Sequence, residues 1–274
     1  MKQFFSELKN FPKKCDWVLL LLCLGLTAFG ILMIGSATNH MGYTRYVAVQ
    51  IFAILAGILC YAIVSSIDLD VMSEYRNAMV AFNVILLLML IPFGTDNNTG
   101  NRSWLDFPFL PFYIQPAEIC KIFYIIIMAS VMSSHQNRLS SFPSVAHMLF
   151  HLALIAGANL LISSDAGVTL IFVFVFVGMA YAGGVSLWWF LAGSGAIAAV
   201  LPFAWNNLMA THQKKRILYI FDPSIDPRGE GVGYHAKLSK MSITGGGLTG
   251  QGLFNGTRTQ AGAMPAQQTD FIFS

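Results

Sequence analysis

The sequence predicts an all-α protein, a polytopic bundle of transmembrane helices with one large loop outside it. Composition is the first reason: 55% of residues are hydrophobic, 11% are charged and the mean hydropathy is +0.62, which is no water-facing surface. The second is continuity. Runs such as "VILLLMLIPF" and "VTLIFVFVFVGMAYAGG" are too long and unbroken for the short alternating strands of a transmembrane barrel. The third is the run that begins at Trp17, which is long enough to span a bilayer and is followed by others, so it reads as a retained helix rather than a signal peptide.

A spanning helix needs about 20 mostly apolar residues, which places seven spans near 17–36, 45–65, 77–93, 114–133, 146–163, 166–183 and 185–205. Residues 1–205 thus form a seven-helix bundle, and 206–274 form a large extracellular loop ending at the start of an eighth helix. Orientation follows from the cations in short loops. With the N-terminus inside, the inner side carries Lys2, Lys9, Lys13, Lys14, Arg76 and Arg138, and the outer side only Arg45 and Arg102. The N-terminus is expected in the cytoplasm. The net charge of +3 is dispersed, which argues for neither a nucleic-acid nor an acidic partner. Cys15, Cys23, Cys60 and Cys120 lie in or beside apolar segments and read as small buried hydrophobes rather than a disulfide framework.

Ionisable residues in a spanning segment are costly, so each is a candidate site. The fourth span opens with "IQPAEICKIF", in which Glu118 and Lys121, three apart on one helical face, either form an ion pair or line a polar cavity together. Pro116 suits the first turn of that helix. The preceding loop carries Arg102, Trp104 and Asp106, able to meet a lipid headgroup or a sugar, although Trp104, Phe112 and Tyr113 also fit an aromatic belt. Asp165, in "ISSDAGVTL", is expected to cap the sixth span and could also face the outer cavity. His147 and His151 are four apart, a metal-compatible spacing without an apparent third ligand, and read as two polar residues near a helix start.

The terminal loop is the most distinctive stretch. "GEGVGY" and "GGGLTGQG" have neither a preceding strand nor the Gly-Lys-Ser/Thr ending of a nucleotide-binding loop, so they read as turns. A Gly-rich loop with interspersed cations could still hold a lipid pyrophosphate through backbone N–H groups. Taken alone, Asp270 in "QTDFIFS" reads as a helix N-cap.

"NRSWLDF", "IQPAEICKI", "SSDAGVT", "FDPSIDPRGEGVGYHAKLSKMSITGGGLTGQG" and "QTDFIFS" occur in the order found in the SEDS family of cell-wall polymerases, which the chain resembles over nearly its whole length, its elongation (RodA-like) branch more than its division (FtsW) branch. The resemblance implies a ten-helix glycosyltransferase of the bacterial inner membrane that polymerises lipid II into peptidoglycan strands for elongation and cell shape. It implies an undecaprenyl-pyrophosphate-linked glycan as donor, membrane lipids around the bundle and a class B penicillin-binding protein as partner. Asp270 matches the family's essential aspartate and is the implied general base. Arg102, Trp104, Glu118, Lys121 and Asp165 match motif positions implied to bind substrate, and a divalent cation, Mg2+ or Mn2+, is a candidate cofactor. Two departures stand out: Ala266 and Gln268 replace the usual Glu and His before Asp270, and "SSDAGVT" lacks the usual Gln-Pro. The chain stops before the family's last three helices and is expected to be C-terminally truncated. A lipid-linked precursor flippase and a non-catalytic scaffold for the penicillin-binding protein are the rival readings.

Overall fold

The computed structural model describes residues 15–42, 44–67, 69–96, 101–107, 113–209, 211–264 and 266–273. Among the described residues, six helices are long and apolar enough to cross a membrane: Trp17–Ala37 (α1), Thr44–Val64 (α2), Arg76–Phe93, Pro116–Ser134, Phe142–Ser163 and Leu187–Asn207. A shorter apolar helix, Ala166–Ala182, lies between the last two. These seven coincide with the expected spans to within about four residues, because length and hydropathy alone set them.

Local chemistry decides where each begins and breaks. The Asp16 carboxylate accepts from the Leu19 N–H at 3.0 Å and starts α1. After the short α3 (Leu69–Glu74), the third span divides into α4 (Arg76–Leu88) and α5 (Leu90–Phe93). Pro92 explains the break, since it has no N–H for the Leu88 carbonyl and its ring crowds that group. A two-rung antiparallel ladder follows, β1 (Gly94–Thr95) against β2 (Trp104–Leu105), with Thr95 opposite Trp104. Leu105 then exchanges backbone hydrogen bonds of 2.7 and 3.1 Å with Ile114, which delivers the chain to α6 (Pro116–Ser134) with Pro116 in its first turn. Helix α7 (Phe142–Ser163) closes on Ser164 in the left-handed region (φ 57°). Helix α8 (Ala166–Ala182) begins at once, capped by Asp165. In α9 (Leu187–Phe203), Pro202 precedes a π-helical turn at Ala204–Leu208.

The chain forms two compact units, residues 67–198 and residues 1–66 with 199–274. In the first, α4 packs on α6 and α7, and α7 on α8. Leu87, Ile127, Val131, Ile155 and Phe172 are wholly buried there, and Tyr124 meets Phe172 edge-on at 5.4 Å. In lipid such packing, rather than escape from water, holds helices together. In the second, α1 packs on α2, and side chains such as Leu26 and Phe29 stay exposed, as lipid-facing positions do. The stretch after residue 206 is more ordered than its turn signals suggest, with α10 (Thr211–Phe221), α11 (Tyr234–Gly246) and the single-turn α12 (Thr257–Gln260).

Candidate functional site

In the unit spanning residues 67–198, Asp165 holds two elements at once. One carboxylate oxygen accepts the Val168 N–H at 3.0 Å, the expected N-cap. The other accepts from the Ser103 hydroxyl at 3.2 Å, and this second bond anchors the "NRSW" strand to the start of α8. Asn159 completes the corner by donating to the Thr169 hydroxyl at 3.0 Å. Beside Ser103, the exposed Arg102 guanidinium donates to the Gly94 carbonyl at 3.3 Å, and Trp104 is half-buried in the ladder. Gly94 has no room for a side chain, because a Cβ there would overlap the Leu90 carbonyl. One helical turn into α6, Lys121 Nζ lies 2.8 Å from a Glu118 carboxylate oxygen. Of the two alternatives for these residues the ion pair is the one seen, with Glu118 more than half exposed. Phe112 lies outside the described residues, and Tyr113 is exposed.

Asp270 lies in the other unit. The loop leading to it is organised by a carboxylate rather than around a phosphate. Asp226 accepts backbone N–H bonds from Gly231 and Gly233, each at 2.9 Å, and from Glu230 at 3.2 Å. These bonds, that of Gly233 above all, hold its carboxyl below the usual carboxylate range. Of the N–H groups of "GEGVG" that could have cradled a pyrophosphate, those of Gly229, Glu230, Gly231 and Gly233 are therefore already bound. Glycine is required at position 233, where a Cβ would overlap the Tyr219 ring, and at Gly229, whose φ is +60°. Asp222 caps the single turn Pro223–Ile225, and its bonds with Ser224 lower its carboxyl in the same way.

Helix α11 starts directly after this corner, and its His235 ring stacks on Phe271 at 5.8 Å and 8°, tying the "GYH" corner to the residue after Asp270. The segment from Phe254 to Gln267 docks on the end of α1. The Phe254 N–H donates to Ser36 Oγ at 2.8 Å, Gln260 donates to the Ser36 carbonyl at 2.9 Å, and Asn39 donates to Gln260 at 3.1 Å. Gln267, buried to 2% exposure, donates to the Ala37 carbonyl at 2.6 Å and approaches His40 Nδ1 at 3.2 Å. Residues 266–273 then run as turns. The expected helix start after Asp270 is not seen, because Ala266 adopts φ 48° and its carbonyl receives the N–H groups of both Thr269 and Phe271. Asp270 itself is exposed and makes no side-chain hydrogen bond or ion pair among the described residues.

Sequence reasoning missed Ser103, Ser36, His40, Gln260 and Gln267. Ser103, inside "NRSWLDF", and Gln267, three residues before Asp270, carried a signal; Ser36, His40 and Gln260 act through partners far away in the chain. The structure also adds His135 beside the His147 and His151 pair, with ring centroids 5.3 Å from His147 to His135 and 4.8 Å from His147 to His151. Nδ1 of His135 faces the Val131 carbonyl at 2.8 Å, and that of His151 faces the His147 carbonyl at 3.0 Å. Among the described residues no group of three or more His, Cys, Asp or Glu side chains is placed to hold a metal ion.

The family model for FtsW/RodA/SpoVE cell cycle proteins matches residues 16–274. The peptidoglycan glycosyltransferase MrdB of Escherichia coli K12 is 31% identical over 264 residues, which is 94% of this chain and 68% of that protein. A probable peptidoglycan glycosyltransferase FtsW of Thiomicrospira cyclica is 29% identical over 266 residues, 94% of this chain and 66% of its own. Among solved structures, one chain of a peptidoglycan synthase complex that coordinates polymerization and crosslinking superposes with a TM-score of 0.64 at 24% identity, over 83% of this chain and 64% of that one. The rod shape determining protein RodA of Thermus thermophilus does so with a TM-score of 0.52 at 22% identity, over 68% of this chain and 59% of that one. At those identities the two structures show a shared fold, and the chain spans roughly two thirds or less of their length.

Proposed function

Because this chain belongs to the FtsW/RodA/SpoVE family of cell cycle proteins, we propose that it is a peptidoglycan glycosyltransferase that polymerises lipid II for cell-wall elongation, with Asp270 as its general base. The observation that carries this reading is the similarity to MrdB, a peptidoglycan glycosyltransferase, along 94% of the chain. Asp270 takes the proton from the 4-hydroxyl of the acceptor's GlcNAc as that oxygen attacks the anomeric carbon of the donor's MurNAc. The bond from that carbon to the diphosphate oxygen breaks, configuration inverts and undecaprenyl diphosphate leaves. A carboxylate that is exposed and uncommitted among the described residues suits that task. General-base assistance supplies about 10²- to 10⁴-fold, and the remainder comes from positioning and from cations at the leaving group. Arg102, Trp104, Glu118, Lys121 and Asp165 are the substrate-side residues in this reading.

The protein is a multi-pass membrane protein. In the reading proposed here it lies in the bacterial inner membrane with its N-terminus in the cytoplasm, residues 1–205 as the bundle and 206–274 on the outer face, where a class B penicillin-binding protein crosslinks the product. The similarity to a chain of a synthase complex that couples polymerization to crosslinking supports that partner. The function is tested with fluorescent lipid II and the purified protein together with its penicillin-binding partner. Glycan ladders are expected; their absence, with the complex intact, would favour a scaffold.

A further inference from the structure

Helix α10 leaves one side uncovered. Its sequence, "THQKKRILYIF", places Ile217, Leu218, Ile220 and Phe221 within an arc of about 160° at the α-helical repeat, with Lys215, Arg216 and Tyr219 on the opposite side. Tyr219 fixes which side faces the protein, because its ring packs against Gly233, where no Cβ would fit. The apolar arc therefore turns away from the loop, and Ile220 and Phe221 are 75% and 81% exposed. The cations are equally uncommitted. Lys214, Lys215 and Arg216 make no ion pair among the described residues, and the carboxylates that follow in the chain, Asp222 and Asp226, are bonded to backbone N–H groups of their own loop. The place of the helix in the chain says what covers it. A spanning helix ends at Asn207 and α10 begins at Thr211; so short a connection reaches at most about 14 Å, which keeps the start of α10 at the membrane boundary. An exposed apolar arc with cations beside it, held at that level, has the pattern of a helix lying in the headgroup region of an anionic membrane.

We propose that α10 is an in-plane membrane anchor: Ile217, Leu218, Ile220 and Phe221 enter the acyl boundary, and Lys214, Lys215 and Arg216 hold the headgroups of anionic phospholipids. Lys214, half-buried at the N-terminal end of the apolar side, lays its stem along that surface and carries its charge up to the phosphates. The inference goes beyond the polymerase reading and does not depend on it. Its consequence is local. Tyr219 ties α10 to the Asp226 corner through Gly233, and α11 starts from that corner, so the loop that leads to Asp270 is fixed at one end to the lipid surface.

The test places a nitroxide on the full chain, freed of its native cysteines, through Ile220→Cys, Phe221→Cys or Lys215→Cys, in nanodiscs of phosphatidylcholine alone or mixed with phosphatidylglycerol. Collision with oxygen, which dissolves in lipid, is compared with collision with a water-soluble nickel chelate. Labels at 220 and 221 should favour oxygen, and the label at 215 should favour nickel. Phosphatidylglycerol should draw the label at 221 deeper, and that shift should be lost when Lys215→Gln and Arg216→Gln are combined. In the unlabelled wild type, hydrogen exchange across residues 213–221 should slow when phosphatidylglycerol is present. Labels at 220 and 221 as open to nickel as the label at 215 would overturn the anchor and leave the apolar side to a protein partner. Depth and exchange rates that are the same in both lipids would overturn the recognition of anionic headgroups.

Discussion

Asp226 shows how much of the terminal loop depends on a single carboxylate. Its ionised form collects the N–H groups of Glu230, Gly231 and Gly233, and protonation removes most of that attraction. The folded carboxyl titrates below its unfolded value, which is near 3.9. Its contribution to loop order is therefore complete above about pH 4, declines as the pH falls through the lower folded value and is absent below it. Hydrogen exchange at Gly231 and Gly233 checks this: protection should hold from pH 7 down to about 4 and then fall, and Asp226→Ala should remove it at every pH. Protection equal in Asp226→Ala and wild type would show that the glycines order themselves. Neither the partners nor the role of Asp226 could be read in advance, because a Gly-rich stretch with cations suits an anion from outside as well as one from within. A residue such as Gly233 becomes legible only once Tyr219 is seen against it.

At the scale of elements, the spans were readable because about 20 apolar residues and a capping residue are strictly local signals. Asp165 caps as its position suggests, and Asp16 does the same for α1. The break at Met89 was also written locally, in Pro92, yet hydropathy alone runs straight through it. What stayed hidden joins residues distant in sequence: Ser103 to Asp165, Thr95 to Trp104 and Gln267 to Ala37. Asp165→Ala removes both a helix cap and the tether to Ser103, so a loss of about 1–2 kcal/mol is expected, against a much smaller loss for Asp165→Asn, which keeps an acceptor for Val168. Thermal unfolding in detergent measures it, and equal losses for the two variants would argue against the cap. The Glu118–Lys121 pair is an exposed i,i+3 pair worth about 0.3–0.5 kcal/mol. It is not a support of the fold, and an effect of Glu118→Gln on catalysis would be chemical.

For the whole molecule, seven apolar helices from a cytoplasmic start would put residues 206–274 outside the cell. A chain freed of Cys15, Cys23, Cys60 and Cys120 and carrying Ser224→Cys should react with a membrane-impermeant maleimide in intact spheroplasts. Reaction only after lysis would reverse the topology and remove Asp270 from the face on which polymerisation is proposed to occur. The proposal of Asp270 as a base comes from the family motif alone. Its own neighbourhood, a turn held by Gln267 at the end of α1 and by His235 against Phe271, carries no local signature of catalysis. The decisive measurement is polymerisation of fluorescent lipid II by the wild-type complex beside Asp270→Asn at matched expression and folding. Glycan ladders are expected from the wild type and a rate lower by about 10²- to 10⁴-fold in the variant; ladders formed by Asp270→Asn at the wild-type rate would contradict general-base catalysis by Asp270.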